Sequence, residues 1–192
     1  MKLIRIHYLD ASAIVKLVLA EEGSRELREY FGKESNFSAT SLCFAEALGA
    51  LKVKAFYRNE ISDEEHFSGC DELLAHVAHN TIEIENIENN DRHVFDEVER
   101  LVRNYNEGKP KDKTIDISDA FQMVSVKQKN FYQFENDSKP ILITGDRASA
   151  DAANNEGLRV WNCVDEPAPE ELTESYYNRL LSQTRPDNAR AA

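Results

Sequence analysis

The sequence predicts an α/β protein, a three-layer α/β/α sandwich built on a central parallel sheet. Two observations carry that prediction. Short apolar runs with β-branched residues recur along the chain, the clearest being Ile141-Leu142-Ile143, closed by the turn residues Thr144-Gly145-Asp146. Segments with apolar residues at helical spacing alternate with those runs. Strands that alternate with helices form a parallel sheet covered on both faces, joined by right-handed crossovers. A chain of 192 residues suits one domain, and a domain of that size buries about 70% of its unfolded surface.

Taken in order, a first strand is expected over 3–9, ending in His7-Tyr8-Leu9-Asp10. Ser12 can cap a helix over 13–20 whose apolar face is Ile14, Val15, Leu17 and Val18. Gly23 breaks it, and Ser24 with Glu26 and Glu29 opens a second helix to Phe31. Residues 36–40 read as the second strand, followed by a long helix over 42–57. Ser62 and Glu65 form a capping box for a helix to His79, with Phe67, Leu73, Leu74 and Val77 turned inward. Residues 81–84 alternate like a strand, and Asn90 can cap a helix to Tyr105. A basic, helix-breaking loop over 108–113 precedes a helix over 117–129. After the Ile141 strand comes a helix over 147–156, stopped by Gly157, and a last strand over 158–162.

Composition changes beyond Asp165. Glu166-Pro167-Ala168-Pro169-Glu170-Glu171 reads as a linker, 172–181 as a short helix docking through Tyr176, Tyr177, Leu180 and Leu181, and 184–192 as disordered. The expected division is a domain over 1–165 and an extension over 166–192.

Net charge of −12 argues against broad, non-specific affinity for nucleic acid, which is driven by counterion release from phosphates. It leaves room for a polyanionic substrate whose contacts run through divalent cations and local basic segments, and it suits a partner with basic arms. Cys43, Cys70 and Cys163 are odd in number and lack the paired spacing of a zinc site, so they read as small buried hydrophobes in a reducing compartment. No apolar run reaches the roughly 18 residues of a membrane helix, and the first residues lack the pattern of a signal peptide. The cytoplasm is the expected location.

Carboxylates are the chemistry-bearing groups. Asp10 directly follows the first strand and Asp146 follows the Ile141 strand, so both leave the sheet at its carboxyl end, where open α/β sheets place their ligands. Each also reads as an ordinary turn or helix-capping residue. Ser12 can donate to Asp10, and Thr144 can bond Asp146 or a nucleophilic water. Glu46 sits early in its helix between Ala45 and Ala47, an awkward place for a carboxylate unless it faces a polar crevice. Asp116 and Asp119 share one helix face, with Asp116 well explained as a cap and Asp119 lying near the apolar stripe of Ile117, Phe121 and Val124. Two carboxylates about 4 Å apart repel by roughly 1 kcal/mol in water and roughly 4 at an effective dielectric of 20. Gathering Asp10, Glu46, Asp119 and Asp146 therefore calls for protons or a cation. All-oxygen ligands select Mg²⁺ or Mn²⁺, which can activate water for phosphoryl displacement without a His or Lys base.

Four segments together resemble PIN-domain ribonucleases, most of all the VapC-type toxins: Tyr8-Leu9-Asp10-Ala11-Ser12-Ala13, the stretch over 38–48 with Glu46, Ile117-Ser118-Asp119-Ala120-Phe121, and Leu142-Ile143-Thr144-Gly145-Asp146-Arg147. The resemblance covers 3–164. It implies a PIN-like fold, Mg²⁺- or Mn²⁺-dependent cleavage of RNA, homodimers, and an antitoxin protein as partner. It also implies that Asp10, Glu46, Asp119 and Asp146 form the acidic quartet, with Asp116 an extra acidic position and Thr144 a helper of the metal site. The chain departs from such toxins in its length between Glu46 and Asp119, its tail after Val164 and its acidity.

The expected function is a metal-dependent endoribonuclease, with Asp10, Asp119 and Asp146 holding the ion and Glu46 sharing it or orienting the attacking water. Lys109, Lys111, Lys113 and Arg147 are candidates for the RNA backbone, although a solvated basic loop explains the lysines equally well. The alternative is a catalytically silent module that binds RNA or protein. A phosphohydrolase with an aspartyl nucleophile, resembling the haloacid dehalogenases, fits less well, because Asp10 is followed by Ala11 and Ser12 rather than by Asp-x-Asp.

Overall fold

A computed structural model describes residues 5–86, 91–130 and 140–170. The expected strand start at Leu3, the Asn90 cap, the helix over 172–181 and the disordered end over 184–192 lie outside them. Among the described residues, β1 (His7–Leu9), β2 (Phe37–Thr40), β3 (Ile82–Glu85), β4 (Ile141–Thr144) and β5 (Arg159–Asn162) form one sheet. All neighbours run parallel, in the order β3-β2-β1-β4-β5. Tyr8, at the centre, stands opposite Ser38 on one side and Leu142 on the other.

The period of two along each strand sorts the core into two halves. Leu9, Phe37, Ala39, Ile141, Ile143 and Trp161 face one layer with α1 (Ala11–Val18), α2 (Ser24–Phe31), α3 (Ser41–Lys52) and α4 (Asp63–Ala78). Tyr8 and Leu142 face the other, with α5 (Arg92–Asn106), α6 (Ile117–Asn130) and α7 (Arg147–Asn155). That is the expected three-layer sandwich. Among the described residues no helix is long and apolar enough to cross a membrane.

Local chemistry explains most element boundaries. The Ser62–Glu65 capping box is made in both directions, Glu65 N–H donating to Ser62 Oγ at 3.2 Å and Ser62 N–H to Glu65 Oε2 at 2.8 Å. Gly23 turns the chain between α1 and α2 with φ +80°, and a Cβ there would lie 2.3 Å from the Cys163 carbonyl oxygen, so only glycine fits. Three expectations about element ends are corrected. The first helix begins at Ala11, capped by Asp10 rather than Ser12, because Asp10 is the last extended residue and its side chain reaches Ala13 N–H. The helix after β3 is capped by Asp91, whose carboxylate accepts from His93 N–H at 2.8 Å. The helix expected over 42–57 is α-helical only to Lys52 and continues as a π-helical turn, Val53–Tyr57. Phe67 and Leu74, expected inward, are 60% and 52% exposed, because α4 meets the core on the stripe of His66, Gly69 and Leu73 instead.

Candidate active site at the carboxyl end of the sheet

Strand order reverses at the centre of the sheet. From β1 the chain winds outward through β2 to β3 on one side, and β4 and β5 lie on the other. The helix after β1 goes to one face and the helix after β4 to the opposite face, which opens a crevice beyond the two carboxyl ends. Asp10 and Asp146 stand on its two lips. Glu46 arrives on the second turn of α3, and Asp119 arrives on the first turn of α6.

Asp10 is almost fully buried. Its Oδ1 accepts from Ala13 N–H at 2.8 Å and from Ser12 Oγ at 2.8 Å. Ser12 Oγ in turn accepts Gly145 N–H at 2.7 Å, so the expected cap residue serves as a bridge between β1 and β4. The backbone there lies close to its neighbours: a Cβ on Gly145 would meet Lys16 Cε at 2.4 Å and Ser12 Oγ at 3.3 Å, so the Lys16 side chain would have to shift. Thr144, fully buried, bonds the Asp10 carboxylate and accepts Asp146 N–H at 2.9 Å, linking the two strand-end acids. Asp146 itself is exposed and caps α7 through Ser149 N–H at 3.0 Å. Capping therefore explains one oxygen of each aspartate and leaves the second.

Asp119 Oδ2 accepts the backbone N–H of Asp116 at 2.8 Å. This reverses the expected roles: Asp119 satisfies the helix start, while the Asp116 side chain is exposed to solvent. Burial drives the Asp10 pKa from 3.8 up to about 6, against hydrogen bonds from Thr144, Ala13 and Ser12, with the Asp146 charge adding to the rise. Burial first and the Asp10 charge next push Asp119 from 3.8 up to about 8; the Asp116 N–H opposes this, and Asp146 and Glu46 add to it. Cys43, buried at the start of α3, has its thiol pKa raised by burial, opposed by a hydrogen bond with Thr40 and reinforced by the charges of Asp10, Asp119 and Glu46. The charges of Asp10, Asp146 and Glu46 thus all reach Asp119, and that of Asp146 reaches Asp10.

Sequence reasoning passed over Gln122, a fully buried amide one turn after Asp119. Its Nε2 donates to Leu9 O at 3.1 Å and its Oε1 accepts Thr40 N–H at 3.2 Å, while Thr40 caps α3. One side chain thereby fixes the end of β1, the start of the Glu46 helix and the Asp119 helix. The available signal was a polar residue inside the apolar run Ala120-Phe121-Gln122-Met123-Val124. Gln122→Leu keeps the volume but strands two buried backbone groups, so urea denaturation is expected to show a loss of about 2–4 kcal/mol.

Among the described residues no Lys, Arg or His forms an ion pair with any of the four acids. The ammonium of Lys16, which passes beneath Gly145, goes to Glu21 at 3.1 Å. Among the described residues no three His, Cys, Asp or Glu side chains stand close enough together to hold a metal ion. By its chemistry the donor set suits a hard cation, being all oxygen, mutually repelling and partly buried with no basic counter-charge among the described residues, but the acids would have to draw together around the ion. Of the four expected RNA-binding cations, Lys109, Lys113 and Arg147 line one groove along α7, and Lys111 does not. Arg147 also pairs with Asp165 at 2.6 and 2.5 Å.

No family model matches the sequence, and no curated protein matches it significantly. Solved structures do resemble it. A chain from the structure of FitAB bound to a DNA fragment is 13% identical, with 86% of this chain and 100% of that chain covered and a TM-score of 0.53. PAE2754 from Pyrobaculum aerophilum is 16% identical, with 93% and 91% covered and a TM-score of 0.52. VapC20 of Mycobacterium tuberculosis, described as a toxin that cleaves the sarcin–ricin loop, is 10% identical, with 68% and 91% covered and a TM-score of 0.47. At these identities the likeness is one of fold. The chain has a PIN-like fold, as its four acidic segments led one to expect.

Proposed function

We propose that the chain is a metal-dependent endoribonuclease that hydrolyses RNA phosphodiester bonds at the crevice between β1 and β4. One observation carries this reading: two carboxylates drawn into the switch point of the sheet, the buried Asp10 and the half-buried Asp119, have their charged forms disfavoured by burial and by the neighbouring acids. Retaining these two acids beside Asp146 and Glu46, with no basic partner among the described residues, destabilises the fold unless a cation offsets them. Asp10, Asp119 and Asp146 would hold Mg²⁺ or Mn²⁺, and Glu46 would share the ion or orient the attacking water. The bound ion supplies water activation and neutralises charge on the scissile phosphate. The chain's own part is positioning. Ser12, Thr144 and Ala13 N–H hold Asp10 in one rotamer, Asp116 N–H holds Asp119, and Gln122 sets the spacing of the elements that carry them. Thr144 acts through Asp10 and Asp146, and Asp116 is assigned no more than a rim position.

The biological role that goes with this reading is the toxin of a toxin–antitoxin pair, acting in the cytoplasm as a homodimer with an antitoxin protein as partner. Its support is the sequence resemblance to VapC-type toxins and the fold shared with a chain of FitAB. The second reading, a catalytically silent RNA- or protein-binding module, is favoured by the spread of the acids, no three of which among the described residues are within coordinating reach. Incubation of the full chain with end-labelled structured and unstructured RNA separates the two. Cleavage is expected with Mg²⁺ or Mn²⁺ and none in EDTA. Cleavage that persists in EDTA, or none under any condition, overturns the metal-dependent reading.

A further inference from the structure

Lys109, Lys113 and Arg147 lie apart in sequence but meet in a groove of about 500 Å³, lined also by Tyr105, Asp151 and Asn155. A volume of that order matches the pockets that hold one small ligand. The groove runs along α7, which begins at the residue after Asp146. At 1.5 Å per residue, Asn155 lies about 12 Å along the axis from Arg147, so the groove leads away from the candidate active site by more than one nucleotide.

Its charge is unusual for this protein. Among the described residues three cations face one carboxylate, Asp151, in a chain of net charge −12. Neighbouring cations are engaged elsewhere: Arg100 and Lys127 both pair with Glu97 and Glu156, and Arg103 pairs with Glu99. Lys109 and Lys113 are exposed and form no ion pair among the described residues. Arg147 is oriented by Asp165, which Asn162 Nδ2 holds at 2.8 Å, yet its side chain stays 77% exposed. Tyr105 is fixed by its hydroxyl, which donates to Glu156 Oε1 at 3.0 Å. Lys109 Nζ rests 5.0 Å from the centre of the Tyr105 ring. A phosphate that draws Lys109 off the ring would expose an aromatic face to the adjoining base, the pairing of cation and stacking platform that single strands use. A duplex would demand a wider basic surface than this one groove.

We propose that this groove seats the single-stranded RNA flanking the cleavage point, with Lys109 and Lys113 on its phosphates, Arg147 nearest the scissile bond and Tyr105 against a base. The proposal rests on the nuclease reading, but its test is a binding measurement. Anisotropy of a fluorescein-labelled oligouridine is followed with the full chain in EDTA, from about 50 to 200 mM salt. Lys109→Ala/Lys113→Ala is expected to weaken binding about tenfold at the low-salt end. It should also flatten the slope of log K against log salt by about 1.4, since each single-strand phosphate that is no longer neutralised takes about 0.7 from that slope. Lys111→Ala, on the same loop but outside the groove, should change affinity less than about twofold. A double variant with the wild-type affinity and slope overturns the proposal, and so does a Lys111→Ala variant as weak as the double variant, since the effect would then be diffuse charge. Cleavage in Mg²⁺ keeps the two failures apart. A wild type that binds through the groove but never cuts sinks the nuclease and leaves the groove standing, whereas one that cuts while the double variant binds normally sinks the groove alone.

Discussion

Asp10→Asn and Asp119→Asn are each expected to lower Mg²⁺-dependent RNA cleavage on the order of 100-fold or more, the loss that follows removal of one charge-stabilising group from an active site. The fold should survive both changes. The Oδ1 of an asparagine at 10 can still accept Ala13 N–H and Ser12 Oγ, and an asparagine at 119 can still accept Asp116 N–H. What each variant loses is the charge, not the cap. Asp146→Asn should behave similarly, because asparagine caps helices as well as aspartate does. Circular dichroism and a thermal melt on the same samples show whether a loss of cleavage reflects chemistry or unfolding. A folded Asp10→Asn or Asp119→Asn protein that still cuts at the wild-type rate would remove these residues from the mechanism.

The second large effect concerns stability. Asp10 and Asp119 bind protons more tightly in the folded chain, at about 6 and about 8, than their ordinary value of 3.8. With folded values raised, their contribution to stability is complete below about pH 4 and is lost as pH climbs through 6 and then 8. At about 1.4 kcal/mol for each tenfold change in proton affinity, the metal-free protein should give up several kcal/mol across that window. A chain of this length shifts its melting temperature by about 2–4 °C per kcal/mol. In EDTA the melting temperature should therefore fall by several degrees between pH 5 and pH 8, and millimolar Mg²⁺ or Mn²⁺ should restore it at pH 8 far more than at pH 5. Asp119→Asn should flatten the profile and melt higher than wild type in EDTA at pH 8, since it removes the half-buried charge and keeps the hydrogen bond. A profile that rises with pH, or an Asp119→Asn protein that melts lower than wild type at pH 8, contradicts the assignment of these two groups as mutually strained acids.

These acids also show where local sequence stops being informative. Asp10 and Asp146 read as crevice acids that could instead be turn or cap residues, and in the structure they cap with one oxygen and keep the other. Asp116 looked like the cap of α6, yet its N–H is the donor and Asp119 the acceptor. A helix start has several free N–H groups, and which acid turns back to meet them depends on where the chain enters. Phe67 and Leu74 follow helical spacing as faithfully as Leu73, but only a neighbour in space can choose which stripe is covered.

The sequence by itself determined the order of strands and helices, the parallel three-layer arrangement and the four acidic segments, because apolar periodicity and capping chemistry act over a few residues. Tertiary structure alone decided that β1 and β4 are neighbours, that Thr144 and Ser12 tie their ends together, that Gln122 spans Leu9 and Thr40, and that Lys109, Lys113 and Arg147 share one groove. Each of these joins residues from tens to more than a hundred positions apart, and such pairings are fixed by how the layers pack, which no local pattern encodes.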